Sequence, residues 1–307
     1  MIIVSYFSYK GGAGRSSLTY NTITYLAKNL HATPEHPLIV MDMDVDSAGL
    51  TFLLDKGAPM QNPLTVNRLT KAITTWGEWQ PEDRPIHNHE IFRQLAPVGI
   101  RFGLDYENNN SILFMPNEPN KNLGSSENNY SMDATSENRL DSFLKLCKTY
   151  NCVGVVLDTP AGNQATANWA VRKSDTIVTC MRITTQFQNG TINYLNDKLS
   201  EVGGKRFVIV PNAVPTEPIE IDKIPVDYDF IKENLHRRLE EVAQNHTSST
   251  IDLRMLGKGE EFFGVNEVKS FKIKERILFN ITENNLSDDE RHAREMYKKI
   301  AAIIAEG

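Results

Sequence analysis

Short runs of apolar residues punctuate the chain at Ile2 to Phe7, Leu38 to Met41, Ser111 to Pro116, Val153 to Asp158, Asp175 to Met181 and Phe207 to Asn212. Each is too short to be a helix of its own and is rich in β-branched residues, so each is expected to be a buried strand. Between them the apolar positions return with helical spacing. Leu18, Thr22, Tyr25, Leu26 and Leu30 share one face, as do Leu140, Phe143, Leu144 and Cys147 in a helix from Arg139 to Tyr150. Further helices are expected from Leu64 to Trp76, His89 to Leu95, Gln188 to Val202, Ile231 to Val242 and Asp288 to Ala305. The last opens on acidic residues that suit the positive end of a helix dipole.

The strands are continuously apolar rather than alternating, and helices follow them along the chain. That pattern predicts an α/β fold, a mostly parallel twisted β-sheet with helices on both faces. No repeat and no second class of composition divides the chain, so residues 1–307 are expected to form a single domain. A polar, Asn-rich inserted loop is expected at about 105–139, without periodicity from Asn117 to Glu137. An idle insertion and a segment ordered by a partner are both open readings of it.

Chemistry concentrates where apolar runs end. After Ile2 to Phe7 comes Tyr9-Lys10-Gly11-Gly12-Ala13-Gly14-Arg15-Ser16-Ser17, a strand–glycine loop–helix sequence. Glycine allows close backbone approach to an anion, and the helix N-terminus adds inward-facing amides and a positive dipole end. Ser16 offers a hydroxyl suited to a magnesium ion on a nucleotide's phosphates. The second run leads into Asp42-Met43-Asp44-Val45-Asp46 and the fourth into Asp158-Thr159-Pro160-Ala161-Gly162. Carboxylates at the carboxyl ends of parallel strands lie where α/β sheets hold ligands. Asp46 is read as a helix cap. An unliganded glycine turn and an acidic solvent loop remain the plain alternatives for the first two motifs.

The ordinary P-loop pattern is not met, because Tyr9 replaces its first glycine and Arg15 its lysine. The stretch resembles instead the variant P-loop of the ParA/MinD family of ATPases, and the resemblance continues at Asp42-x-Asp44 and at Asp158-Thr-Pro-Ala-Gly. It is strong at residues 3–30, 38–50 and 153–162. It implies ATP and Mg2+ as ligands, with Gly11, Gly12, Ala13, Gly14, Arg15, Ser16 and Ser17 around the phosphates. It further implies Ser16, Asp42 and Asp158 around the metal, and Asp44 preparing the attacking water. Lys10 would reach the nucleotide of a second subunit in an ATP-dependent homodimer. Asn212 would read the adenine edge, since an amide pairs donor and acceptor at once, although a turn-forming Asn is the open alternative. A loop flanking the base is expected at Ile224 to Asp227 or at Val265 to Val268, the latter favoured by its order in the chain.

Arg15 keeps the positive charge in a bulkier planar fork with fixed donor geometry, so it is expected to bind phosphates and to support hydrolysis poorly. A net charge of −6 argues against a uniformly basic, nucleic-acid-coating surface. A local patch at Lys269, Lys272, Lys274 and Arg276 is the one candidate for non-specific DNA. The three cysteines, Cys147, Cys152 and Cys180, form no CxxC pair, which disfavours a zinc or iron–sulfur site and fits a reducing cytoplasm. No basic leader, no spanning segment and no membrane-surface helix is expected, nor an N-terminal DNA-reading domain ahead of the P-loop. The resemblance thus implies a slow Mg-ATP hydrolase that positions or partitions DNA or another large cargo, with a protein activator or cargo adaptor. The alternative is a nucleotide-dependent interaction switch with negligible hydrolysis, in a regulatory or defence complex.

Overall fold

The computed structural model describes residues 1–44, 47–54, 64–71, 86, 89–98, 109–117, 132–217, 220–221, 224–256, 263–273, 276–279 and 281–306. Its strands are β1 (Ile2–Phe7), β2 (Leu38–Asp42), β3 (Ala96–Pro97), β4 (Ile112–Met115), β5 (Gly154–Asp158), β6 (Thr176–Met181), β7 (Arg206–Val214), β8 (Glu220–Ile221), β9 (Ile224–Pro225), β10 (Thr250–Asp252) and β11 (Val265–Asn266). Its helices are α1 (Arg15–Asn29), α2 (Gly49–Leu54), α3 (Val66–Lys71), α4 (Glu90–Arg93), α5 (Ala134–Thr149), α6 (Ala165–Lys173), α7 (Thr185–Glu201), α8 (Tyr228–Asn245) and α9 (Asp288–Ala305).

One sheet runs in the order β10-β7-β6-β1-β5-β2-β4-β3, with β11 also on β7. All its pairs are parallel except β3 on β4, a short antiparallel edge. Such a sheet needs cover on both sides, and the strands' alternation supplies two apolar faces. Val4, Tyr6, Val40 and Val156 face a core built with α1, α2 and α9. Ile39, Met41, Val155 and Leu157 face α3, α5 and Trp169 of α6, while Phe7, Ile177 and Ile209 face α7 and α8. Truncating a fully buried Phe143 or Trp169 in such a core costs about 3–5 kcal/mol.

The sequence reading needs three adjustments. The strand expected from Ser111 to Pro116 is found as β4, buried between β2 and β3 within the 105–139 span given to the inserted loop, and α5 begins at Ala134. Asp133 caps that helix by accepting from the Ser136 amide, which starts it five residues ahead of Arg139, and residues 118–131 lie outside the described residues. Helix α6 and strand β10 were not expected, because they are only nine and three residues long and carry few large apolar residues. The helix expected from Leu64 to Trp76 is seen as α3; residues 72–76 lie outside the described residues. The helix from Asp288 is found with its expected limits and carries a capping box of Ser287 and Glu290. Among the described residues no helix is long and apolar enough to cross a membrane, and all three cysteines are buried free thiols.

Candidate functional site

Three strands, β1, β2 and β5, end side by side, and Asp42 is the register partner of Asp158. The loop after β1 turns there through two glycines in the left-handed region, Gly12 at φ 80° and Gly14 at φ 78°. At Gly14 a Cβ would also stand 2.5 Å from the Asn212 amide nitrogen, so both torsion and space require glycine. Gly14 precedes the first turn of α1 and offers no side-chain acceptor to its amides, the usual condition of a helix N-terminus that receives an anion.

The carbonyls of this loop are occupied from the flank. Asn212 Nδ2 donates to Ala13 O at 2.8 Å and Gly14 O at 3.4 Å, Arg182 Nε donates to Gly12 O at 2.8 Å, and the Cys180 thiol donates to Ala13 O at 3.2 Å. Burial pushes that thiol up to about 12, which keeps it protonated as a donor. Tyr9 seats its ring on α7 where Gly190 leaves room, and exposed Lys10 donates to Gln186 Oε1 at 2.7 Å. Loop and α7 are therefore joined at two points.

Beneath the loop lies a buried charge cluster. Arg15, 7% exposed, donates through Nη2 to Asp44 Oδ2 at 2.7 Å and through Nε to Asp158 Oδ1 at 3.2 Å, with Ser8 Oγ near Nη1 at 3.4 Å. Asp158 Oδ2 accepts from Ser16 Oγ at 2.7 Å, and its Oδ1 also accepts from Thr19 Oγ1 at 3.0 Å. Asp42 is turned to a different neighbour: its Oδ2 accepts from the Thr51 amide at 2.8 Å and hydroxyl at 2.7 Å, and its Oδ1 from the Asp44 amide at 3.1 Å. Asp44 Oδ1 accepts from the Ser47 amide at 3.2 Å.

The electrostatics follow from burial with too few cations. Burial, then the charge of Asp158, raises the Asp42 carboxyl to about 7, against the donors from Thr51 and Asp44. Burial also raises Asp158, although the Arg15 charge and the hydroxyls of Ser16 and Thr19 pull it back. For Arg15 burial opposes the charge, but Asp158 and Asp44 outweigh it and hold the guanidinium protonated. A site with this surplus of buried negative charge favours an arriving cation.

The structure thus brings Arg15, Ser16, Asp42, Asp44 and Asp158 into one cluster, with Gly11 to Gly14 above it and Lys10 and Ser17 at its margin. Asn212 sits within β7 rather than in a turn, and its Nδ2 donates to the loop. Asp46 lies outside the described residues. Among the described residues Ile224–Pro225 pairs with Glu220–Ile221 in a separate ribbon, whereas Val265 pairs with Asn212, whose side chain bonds the loop. Sequence reasoning missed Thr19, Thr51, Arg182 and Gln186. Arg182 carried a usable signal, a charged residue directly after a buried strand. Thr51 carried none, since its bond to Asp42 exists only once α2 folds back.

Among the described residues no cluster of His, Cys, Asp and Glu forms a metal cage. Magnesium keeps several waters and takes phosphate oxygens with one or two protein ligands. The Ser16 hydroxyl against Asp158, with Asp42 beside it, is a donor set of that kind.

No family model matches the chain, and neither does any curated protein. Solved structures do. A Cyanothece McdA–ATP complex matches with TM-score 0.58 at 14% identity, over 97% of this chain and 95% of that one. MinD cell division protein of Aquifex aeolicus matches with TM-score 0.58 at 12% identity, over 100% and 98%. A plasmid partition protein from Borrelia burgdorferi matches with TM-score 0.51 at 17% identity, over 97% and 96%. The fold is that of the ParA/MinD-like P-loop ATPases.

Proposed function

We propose that this chain is a cytoplasmic ATPase of the ParA/MinD kind that binds Mg-ATP, pairs with a second copy while ATP is bound, and hydrolyses it slowly to position or partition DNA or another large cargo. The observation that carries the reading is the Ser16 hydroxyl on Asp158 at the head of an uncapped helix behind a left-handed glycine loop. The McdA structure of the same fold is an ATP complex, which supports the choice of nucleotide.

In this reading the amides of Gly11 to Ser17 receive the phosphates and the positive end of α1 stabilises their charge. Ser16, Asp42 and Asp158 would hold Mg2+, which when bound neutralises phosphate charge. Asn212, whose Nδ2 holds the loop and whose backbone pairs with Val265, would read the adenine edge. Lys10 is exposed and held by one neutral partner, so it can leave Gln186 for the phosphates of a second copy. Asp44 would orient or deprotonate water, but its Oδ2 is engaged by Arg15. Hydrolysis therefore waits on Arg15 moving from the carboxylates toward the phosphates, which makes turnover slow.

That same ion pair favours one second reading, a nucleotide-dependent interaction switch with negligible hydrolysis in a regulatory or defence complex. Phosphate release in a single turnover, with and without DNA, separates the two: release at all supports the ATPase, and none over hours supports the switch. Lys10→Ala is expected to abolish ATP-dependent dimerisation in ultracentrifugation while leaving monomer ATP affinity within a few-fold. Undiminished dimerisation would remove the cross-subunit role. Calorimetry with Mg-ATP is the prior test, and absence of heat ends both readings. A protein activator or cargo adaptor is part of the proposal; DNA is its weaker part. Lys269, Lys272 and Arg276 are paired with Glu217, Glu267 and Glu290, and Lys274 lies outside the described residues.

A further inference from the structure

On the face of the sheet away from α7 and α8, α1 packs along α9, and a cavity of about 660 Å3 opens at their seam. Its walls carry Lys28 and Asn29 from the last turn of α1 and Arg294 and Lys298 from α9, with the rings of Tyr25 and Phe279 between them. Lys28 lies at the opposite end of α1 from Arg15, about 20 Å away at the helical rise per residue, so this cavity is separate from the glycine-loop site.

In a chain of net charge −6, the described lining holds three cations and no carboxylate. Lys28 makes no ion pair with a described residue; its ammonium stands 4.5 Å from the centre of the Phe279 ring. Tyr25 meets the same ring edge to face at 4.9 Å. Arg294 is 8% exposed and fixed at one end, where Nη1 donates to Ile281 O at 2.9 Å and Nη2 pairs with Glu283. Its Nε–H is buried with no acceptor. A buried donor left unmatched is costly, and on a guanidinium it asks for an anionic acceptor. Lys298 is paired with Glu295 only at the surface, an interaction of the weak exposed kind.

We propose that this cavity is a second ligand site, one that takes a phosphate monoester carrying a flat ring. The phosphate would be received by Lys28 and Lys298, and the ring by Phe279 and Tyr25. The volume admits a molecule of mononucleotide size. A bare inorganic phosphate shares the anionic half of this chemistry and lacks the other half, so the two are separated by comparison.

The test is calorimetry on the full chain with phenyl phosphate and with inorganic phosphate. Phenyl phosphate is expected to bind several-fold more tightly than inorganic phosphate. Lys28→Glu with Lys298→Glu is expected to weaken phenyl phosphate at least 10-fold, Lys28→Arg with Lys298→Arg to retain it, and Ser16→Ala to leave it unchanged. Should the charge-reversed protein fail to fold, Lys28→Gln alone is expected to weaken binding at least three-fold. The proposal is overturned if the intact chain gives no heat with phenyl phosphate, or if inorganic phosphate binds equally well. It is also overturned if the lysine variants bind as the intact chain does, or if Ser16→Ala abolishes binding, which would assign the ligand to the glycine loop. Failure of Mg-ATP binding at the glycine loop leaves this site untouched, because the two share no residue.

Discussion

Two clusters of arginine and aspartate are built from the same side chains with opposite ratios. Under the glycine loop a single guanidinium, Arg15, serves Asp44 and Asp158, with Asp42 adjacent. At the β10 edge of the sheet Asp252 is held by Arg206 at 2.6 Å and Arg254 at 2.8 Å, and Arg254 also reaches Glu306. There burial opposes ionisation, but the bonds from Arg254 and Arg206 win and hold Asp252 at about 2. In the first cluster burial wins and Asp42 sits at about 7. The edge cluster has its charges matched and ties β7, β10 and the end of α9 together. The loop cluster is short of positive charge, the condition expected of a place that binds a cation rather than one that merely holds strands.

The largest break in this contrast comes from Arg15→Ala. It strands buried carboxylates and is expected to lower stability by about 4 kcal/mol in denaturant titration. Added Mg2+ should recover more of that loss in the variant than it adds to the intact chain. Next is the pH dependence of Asp42. Its folded carboxyl is raised, so its contribution is present below the ordinary carboxylate range and is lost as pH rises through about 7. Asp42→Asn should flatten the decline in stability between pH 4 and 8, by about 4 kcal/mol over that window. Asp252 runs the other way: its carboxyl is depressed, so its stabilisation is present above the ordinary range and disappears as pH falls through about 2. Asp252→Asn should remove about 2 kcal/mol at neutral pH and flatten the acid limb below pH 4. Identical slopes in the two variants would mean that the clusters do not differ as described.

Much of this was readable in the residues. The strands β1, β2 and β5 announce themselves by unbroken apolar runs, and the residues that end them, Ser8, Asp42 and Asp158, fall at one edge by the logic of a parallel sheet. Local signals also gave α9, whose cap is spelled by Ser287 and Glu290. What escaped depends on distant partners. The Arg15–Asp158 bond spans 143 residues and the Asn212–Ala13 bond 199, and neither spacing says which way a side chain turns. The glycine-loop motif places Arg15 among the residues expected around phosphates. In the fold its nearest anions are carboxylates. Helix α6 was missed because it is only nine residues long and its buried face is made largely of alanines beside Trp169, a weak apolar signal.

The ring of Tyr9 resting on Gly190 leaves no slack between the glycine loop and α7, since even a methyl at 190 would overlap it. Helix α7 is in turn packed against α8, on the far side of the sheet from α1. The missing side chain at Gly190 is what lets the ring of the glycine loop lie against the helix at this point.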